Sequence, residues 1–182
     1  LLRYLQKFFN GWKLSLPVPT PNYLSFSAET LRHTAEELDA HLHACRLCPN
    51  LCGADRFHGK TGVCKAGAEV KLGSFAVHRG EEPPLSGTRG SGTVFFSHCT
   101  LQCQFCQNYP LSQMHHGKFY TIEELAQVYL HLQQKGCHNL NWVSPTQYLP
   151  QAFRALLIAR DKGLTLPVIY NSSGWETVET VK

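Results

Sequence analysis

Residues 93–106 read Thr-Val-Phe-Phe-Ser-His-Cys-Thr-Leu-Gln-Cys-Gln-Phe-Cys, a compact β-branched and aromatic run that leads into three closely spaced cysteines. Thr93 to Ser97 has the length and composition of a short buried strand, and Cys99, Cys103 and Cys106 follow it as C-x3-C-x2-C. Downstream the pattern alternates. Thr121-Ile-Glu-Glu124 is a capping box, and Ile122, Leu125, Tyr129 and Leu132 make the apolar stripe of a helix stopped at Gly136. Leu140 to Val143 reads as a second strand, ending at Ser144-Pro145-Thr146. Pro150 opens a helix through Lys162, with Gly163 past its end. Leu166 to Tyr170 is a third strand, followed by Asn171-Ser-Ser-Gly174 and a helix start at Trp175. Strands alternating with helices imply parallel βα units, here about three, and an α/β fold.

Upstream of this region the cysteines cluster again. Of eight in the chain, Cys45, Cys48, Cys52 and Cys64 fall within twenty residues as C-x2-C-x3-C-x11-C. Gaps of two or three residues are too tight for most disulfides but suit thiolates converging on one metal centre. The alternative is a set of free buried thiols, since cysteine behaves as a small hydrophobe. A metal reading places the chain in a reducing compartment, cytoplasmic in the first instance. A helix is expected from Ala28 to Ala44, capped by Ser27, with Glu29 in its first turn and Leu31, Ala35, Leu38 and Leu42 on the face that leads to Cys45. Cys48 to Arg79 is Gly-punctuated and reads as a loop-rich module organised by a metal. These boundaries divide the chain into an extension and linker (1–26), a helix with a Cys-rich metal-binding module (27–86), and a βα region (87–182).

Composition narrows the function. Seventeen basic against thirteen acidic residues give a net charge of +4, too weak to point to nucleic acid. No apolar run approaches the roughly 18 residues of a membrane span. The first 28 residues carry no acid, and Leu1, Leu5, Phe8, Phe9 and Trp12 recur at helical spacing, so a short amphipathic helix is expected there, either the remnant of an organellar leader or, the preferred reading, an ordinary extension packing its apolar face on the body.

A three-thiolate loop can hold three irons of a [4Fe–4S] cube and leave the fourth without a protein ligand. Leu101, Phe105, Phe95 and Phe96 offer apolar shielding beside it. The loop after the first strand of a βα series resembles the radical S-adenosylmethionine (SAM) superfamily. Ser86 to Cys99 and on through Cys106-Gln-Asn108 is similar to the matching stretch of pyruvate formate-lyase activating enzymes. Cys45-Arg-Leu-Cys-Pro-Asn-Leu-Cys52, Gly62-Val-Cys64, Glu81-Glu-Pro-Pro-Leu-Ser-Gly87 and Tyr170-Asn-Ser-Ser-Gly174 resemble the iron–sulfur homologues of those enzymes.

The resemblance implies the first half of a (βα) barrel, with SAM chelating the open iron and one electron cleaving it to methionine and a 5′-deoxyadenosyl radical. It also implies a flavodoxin- or ferredoxin-like electron donor. A glycyl-radical enzyme is a possible protein substrate. In this superfamily a Gly-Gly-Glu segment at the second strand's end usually meets the amino group of SAM; here Ser144-Pro145-Thr146 stands in its place. Ser144, Thr146, Asn171 and Phe105 are the candidate SAM contacts, the first three at carboxyl ends of strands. The first cluster suits either structural zinc or an auxiliary [4Fe–4S] group. The competing class is a non-catalytic metal-binding or electron-transfer protein.

Weaker signals complete the reading. Gly87-x2-Gly90-x-Gly92 precedes a strand, so it predicts close backbone packing near the cluster and not a phosphate loop. His98 is placed to hydrogen-bond a cysteine sulfur, His115-His116 reads as solvated loop, Glu81-Glu82 as a loop anchor and Cys137 as a buried thiol at a strand entry.

Overall fold

The computed structural model describes residues 20–182, so the helix expected in the first 13 residues lies outside them. Three helices longer than one turn are described: α1 (Ala28–His43), α2 (Ile122–Gln134) and α3 (Leu149–Asp161). Five strands, β1 (Val70–His78), β2 (Ser91–Phe96), β3 (Lys118–Tyr120), β4 (Leu140–Val143) and β5 (Val168–Asn171), form one sheet in the order β3-β1-β2-β4-β5. The sheet is mixed. β2, β4 and β5 run parallel, whereas β1 is antiparallel to both β2 and β3. The fold is therefore α/β, with α2 joining β2 to β4 and α3 joining β4 to β5.

The parallel strands are those the sequence indicates. α1 begins where Ser27 caps it, its side chain accepting from the Thr30 N–H at 3.0 Å. α2 carries the full capping box, with Thr121 accepting from the Glu124 N–H and Glu124 from the Thr121 N–H. α3 starts at Leu149 with Pro150 in its first turn, preceded by a 3-10 turn at Thr146–Tyr148. One sheet face is covered by Leu125, Tyr129 and Leu132 of α2 and by Ala152, Ala155, Leu156 and Ala159 of α3, against Val94, Leu140 and Trp142. Burying each large apolar side chain there stabilises the fold by about 1.5–3 kcal/mol. α1 packs on α3, where Asp39 pairs with Arg154.

Several expectations need correction. β1 lies within the segment expected to be loop, and its ladder with β2 carries the sheet across the boundary drawn at 86/87. Its pairing shifts register between Leu72 and Ser74, a bulge at Gly73, where a Cβ would stand 2.4 Å from Leu111 Cδ2. β3 is a second strand that periodicity did not reveal; it intervenes between the cysteine loop and α2. The third parallel strand spans Val168–Asn171 instead of 166–170, and the helix expected at Trp175 is a single turn, Val178–Val181. The linker side of residue 26 is anchored: Tyr23 is buried and its hydroxyl donates to the carbonyls of Leu164 and Leu166, at 3.2 and 2.9 Å. Gly87, Gly90 and Gly92 do pack closely, but at the start of β2, the opposite end from the cysteines. A Cβ on Gly92 would lie 2.9 Å from the Asn139 carbonyl. No described helix is long and apolar enough to cross a membrane.

Candidate metal centre

Because β2, β4 and β5 are parallel, their carboxyl ends share one edge of the sheet. The Cys99–Cys106 loop leaves β2 there, Ser144 follows β4 and Asn171 ends β5. The loop is bent by left-handed backbone at His98 (φ 66°) and Gln102 (φ 51°), conformations that non-glycine residues adopt only when neighbours hold them. All three thiols are free and half-buried. Two already receive hydrogen bonds at sulfur: the Leu101 N–H donates to Cys99 Sγ at 3.4 Å and the Ser112 hydroxyl to Cys106 Sγ at 3.3 Å. Gln113 Nε2 donates to the Cys103 carbonyl at 2.6 Å, fixing the loop's middle. Donors aimed at sulfur tune the potential of a cluster bound there. Three soft donors with such support fit an iron–sulfur group.

Phe105 and Phe96 depart from expectation. Phe105 is 92% exposed and shields nothing among the described residues, and Phe96 packs in the core beside Tyr148. Of the candidate SAM contacts, Thr146 is buried and its hydroxyl is committed. It donates to Glu176 Oε1 at 2.6 Å and accepts from the Tyr170 hydroxyl at 3.3 Å. Ser144 keeps a free hydroxyl in left-handed backbone (φ 53°), while its N–H donates to the Asn171 carbonyl at 2.9 Å. Asn171 is exposed. Ser144 and Asn171 therefore remain available to a ligand at this edge, and Thr146 serves to orient Glu176.

Cys45, Cys48 and Cys64 are buried, and Cys52 is exposed. Cys45 is paired through its backbone with Gly53 and Ala54, which folds 45–54 into a closed loop. Gly62 is pressed so closely on Cys52 that a Cβ there would fall 2.3 Å from its Sγ, bringing the Gly62–Cys64 turn to the loop. Burial pushes the Cys45 and Cys64 thiols up, and the nearby Arg56 guanidinium pulls both back. Arg56 itself is only 2% exposed. Its Nη1 donates to the Gln147 and Gly67 carbonyls, at 2.5 and 3.5 Å, while Nε and Nη2 have no partner. A buried cation with idle donors calls for an anion, and four thiolates around a metal are one. Among the described residues no three cysteine sulfurs lie within 4.8 Å of one another, so the site is not closed on an ion; its fit to a metal centre rests on the donor set and on the guanidinium, which four neutral thiols would leave uncompensated.

The two cysteine loops touch. Asn50 Nδ2 donates to the Thr100 carbonyl (3.0 Å), Gln102 Nε2 to that of Val63 (2.9 Å) and His98 Nδ1 to that of Cys64 (3.0 Å). His98 thus bonds a backbone carbonyl, not a cysteine sulfur. Burial lowers its pKa to about 4, with His115 stacked on it at 4.2 Å and adding to the shift, so the ring is neutral at physiological pH. His115 is accordingly part of the packing and not solvated loop. Glu81 acts as an anchor, accepting from Asn141 Nδ2 at 3.3 Å, and Cys137 is buried at the entry to β4. Arg56, Gln147 and Glu176 carried no sequence signal, each being a single polar residue outside any spaced motif.

No protein-family model and no solved structure matches the chain. A protein of Methanocaldococcus jannaschii, "Uncharacterized protein MJ0674", is 29% identical over 168 residues, 87% of this chain. The chain spans 45% of that relative's length, and the likeness assigns neither a family nor an activity.

Proposed function

We propose that this chain is part of a radical SAM iron–sulfur enzyme of the activating-enzyme type. The observation that carries the reading is the trio Cys99, Cys103 and Cys106 in one strained loop at the carboxyl edge of parallel strands, with N–H and O–H donors already on two of its sulfurs. A [4Fe–4S] group held there would supply the electron for reductive cleavage of S-adenosylmethionine. The residues' own part is positional. The three thiolates would hold three irons, and Ser144 and Asn171 stand available at the same edge of the sheet. Ser144 offers a hydroxyl acceptor to an ammonium group, and Asn171 an amide. Glu176 is held by Thr146 and Ser172, so its carboxylate stands fixed beside the same edge.

The test is anaerobic reconstitution with iron and sulfide, followed by addition of SAM and a reductant. About four irons at the three-cysteine loop, a spectral change on adding SAM, and release of 5′-deoxyadenosine support the reading. Assembly of the cluster with no response to SAM overturns it.

A second reading, a non-catalytic electron-transfer protein, is favoured by the three hydrogen bonds that join the cysteine loops. Two metal centres held by loops in such contact would be placed to exchange electrons without SAM. The donor, flavodoxin- or ferredoxin-like, and a glycyl-radical substrate belong to the enzyme reading alone.

A further inference from the structure

We propose that Arg56 is the internal counter-ion of the first cysteine centre, directing its two idle N–H-bearing nitrogens at an anionic group held by Cys45, Cys48, Cys52 and Cys64. The inference rests on reading those four cysteines as metal ligands. Arg56 lies in the stretch that closes this loop, two residues after Ala54, whose carbonyl accepts from the Cys45 N–H at 3.2 Å. Its own N–H donates to the Leu42 carbonyl at 2.7 Å, which fixes where the side chain starts. From there the guanidinium runs inward, 2% exposed, until Nη1 meets Gln147 and Gly67. No carboxylate among the described residues pairs with it. Two carbonyls offset the loss of hydration only in part, and a guanidinium cannot shed its proton. Four thiolates on a divalent ion or on an oxidised cube leave the centre with net negative charge, and that charge is what the guanidinium lacks. Loss of the positive charge disfavours the more negative oxidation state, so it drives the potential of a cluster there downward.

The test uses Arg56→Met and Arg56→Lys in the full chain, with Cys99, Cys103 and Cys106 replaced by alanine so that one centre is read. Metal and sulfide per chain are counted, and the midpoint potential is measured by electron paramagnetic resonance; for zinc, the readout is retention against a chelator. Arg56→Met is expected to lose most of the group, or to keep it at a more negative potential or with faster zinc release. Arg56→Lys is expected to recover part of the difference. Full content with unchanged potential or release rate in Arg56→Met overturns the proposal. Should that variant not fold, Arg56→Lys decides alone: a displaced potential or release rate supports the proposal and an unchanged one overturns it. A parent chain whose first centre takes no metal refutes the underlying reading instead, and the proposal falls with it.

A different observation carries a second site. We infer that His43, Asp55 and His58 bind a divalent transition ion at the surface. Their ligand atoms lie within 4.8 Å of one another, two imidazoles and one carboxylate. The backbone holds them there: Arg56 and Phe57 N–H groups both donate to the Leu42 carbonyl at the end of α1, next to His43. His43 is further set by stacking on Phe57 at 4.9 Å, and His58 Nδ1 lies 2.7 Å from Asp55 Oδ2. Imidazole with carboxylate suits zinc, iron or nickel, and three protein ligands leave room for water.

Cobalt(II) titration of the iron–sulfur-loaded chain tests it. One equivalent is expected to give d–d absorption without thiolate charge transfer, weakened at least tenfold in affinity by His43→Ala or His58→Ala. Binding unaffected by both substitutions, or none at up to millimolar cobalt, overturns the site.

Discussion

Gln147 is 2% exposed, and its Nε2 reaches the carbonyls of Ser97, His98 and Ser144 at 2.9, 3.2 and 2.8 Å. It thereby ties the residue before the cysteine loop to the residue after β4, and its own carbonyl receives Arg56. Gln147→Leu strands three buried carbonyls, so a loss of about 2–3 kcal/mol is expected in urea unfolding, together with poorer iron retention at Cys99, Cys103 and Cys106. Tyr23 shows the same logic through titration. Burial pushes its hydroxyl up to about 12 from 10, so the unfolded chain ionises first as pH rises. Its contribution is complete below pH 10 and is lost between 10 and 12. Tyr23→Phe should flatten that alkaline loss in thermal melts while lowering stability at pH 8; an unchanged alkaline slope contradicts the assignment. At this scale the cysteines were legible because spacing is itself chemistry. Arg56 was not: an arginine in a Gly-punctuated stretch reads as solvated, and only the closed loop reveals that it turns inward.

α2 depends on a reciprocal cap. Thr121→Ala removes the acceptor for the Glu124 N–H and should cost about 1 kcal/mol, read as a fall in melting temperature with little change in metal content. Gly92 is more demanding. A Cβ there meets the Asn139 carbonyl at 2.9 Å and Leu132 Cβ at 3.1 Å, neither of which can swing aside, so Gly92→Ala should destabilise the chain more than Thr121→Ala does. Equal melting temperatures for the two variants would contradict that ranking. α1, α2, α3, β2 and β4 were readable because caps, prolines and apolar periods agree within each. β1 was not. Gly73 interrupts its alternation at the bulge, and only one of its faces is covered along much of its length. β3, three residues long, has no period to detect, and its place is set by pairing with Val70 to Leu72.

The sheet as a whole brings together two loops that lie thirty-five residues or more apart, from Cys64 to Cys99. Parallel β2, β4 and β5 fix the edge; β1 carries the chain away from the first cysteine loop, and its antiparallel partner β2 returns it to the same end, where the second begins. The juxtaposition of the two loops was not legible in the sequence, since it depends on β1 and on hydrogen bonds from Asn50, Gln102 and His98 to backbone carbonyls. An α/β class was legible, and the mixed sheet order was not. The chain spans 45% of the length of its archaeal relative, so the activity of the whole relative is not read onto it. The most direct measurement compares the reconstituted chain with Cys103→Ser by iron content and by electron paramagnetic resonance of the reduced protein, with and without SAM. The expected result is loss of about four irons and of every SAM-dependent spectral change, with the first centre unaffected. A Cys103→Ser chain that keeps its full iron and still responds to SAM would contradict the three-thiolate centre.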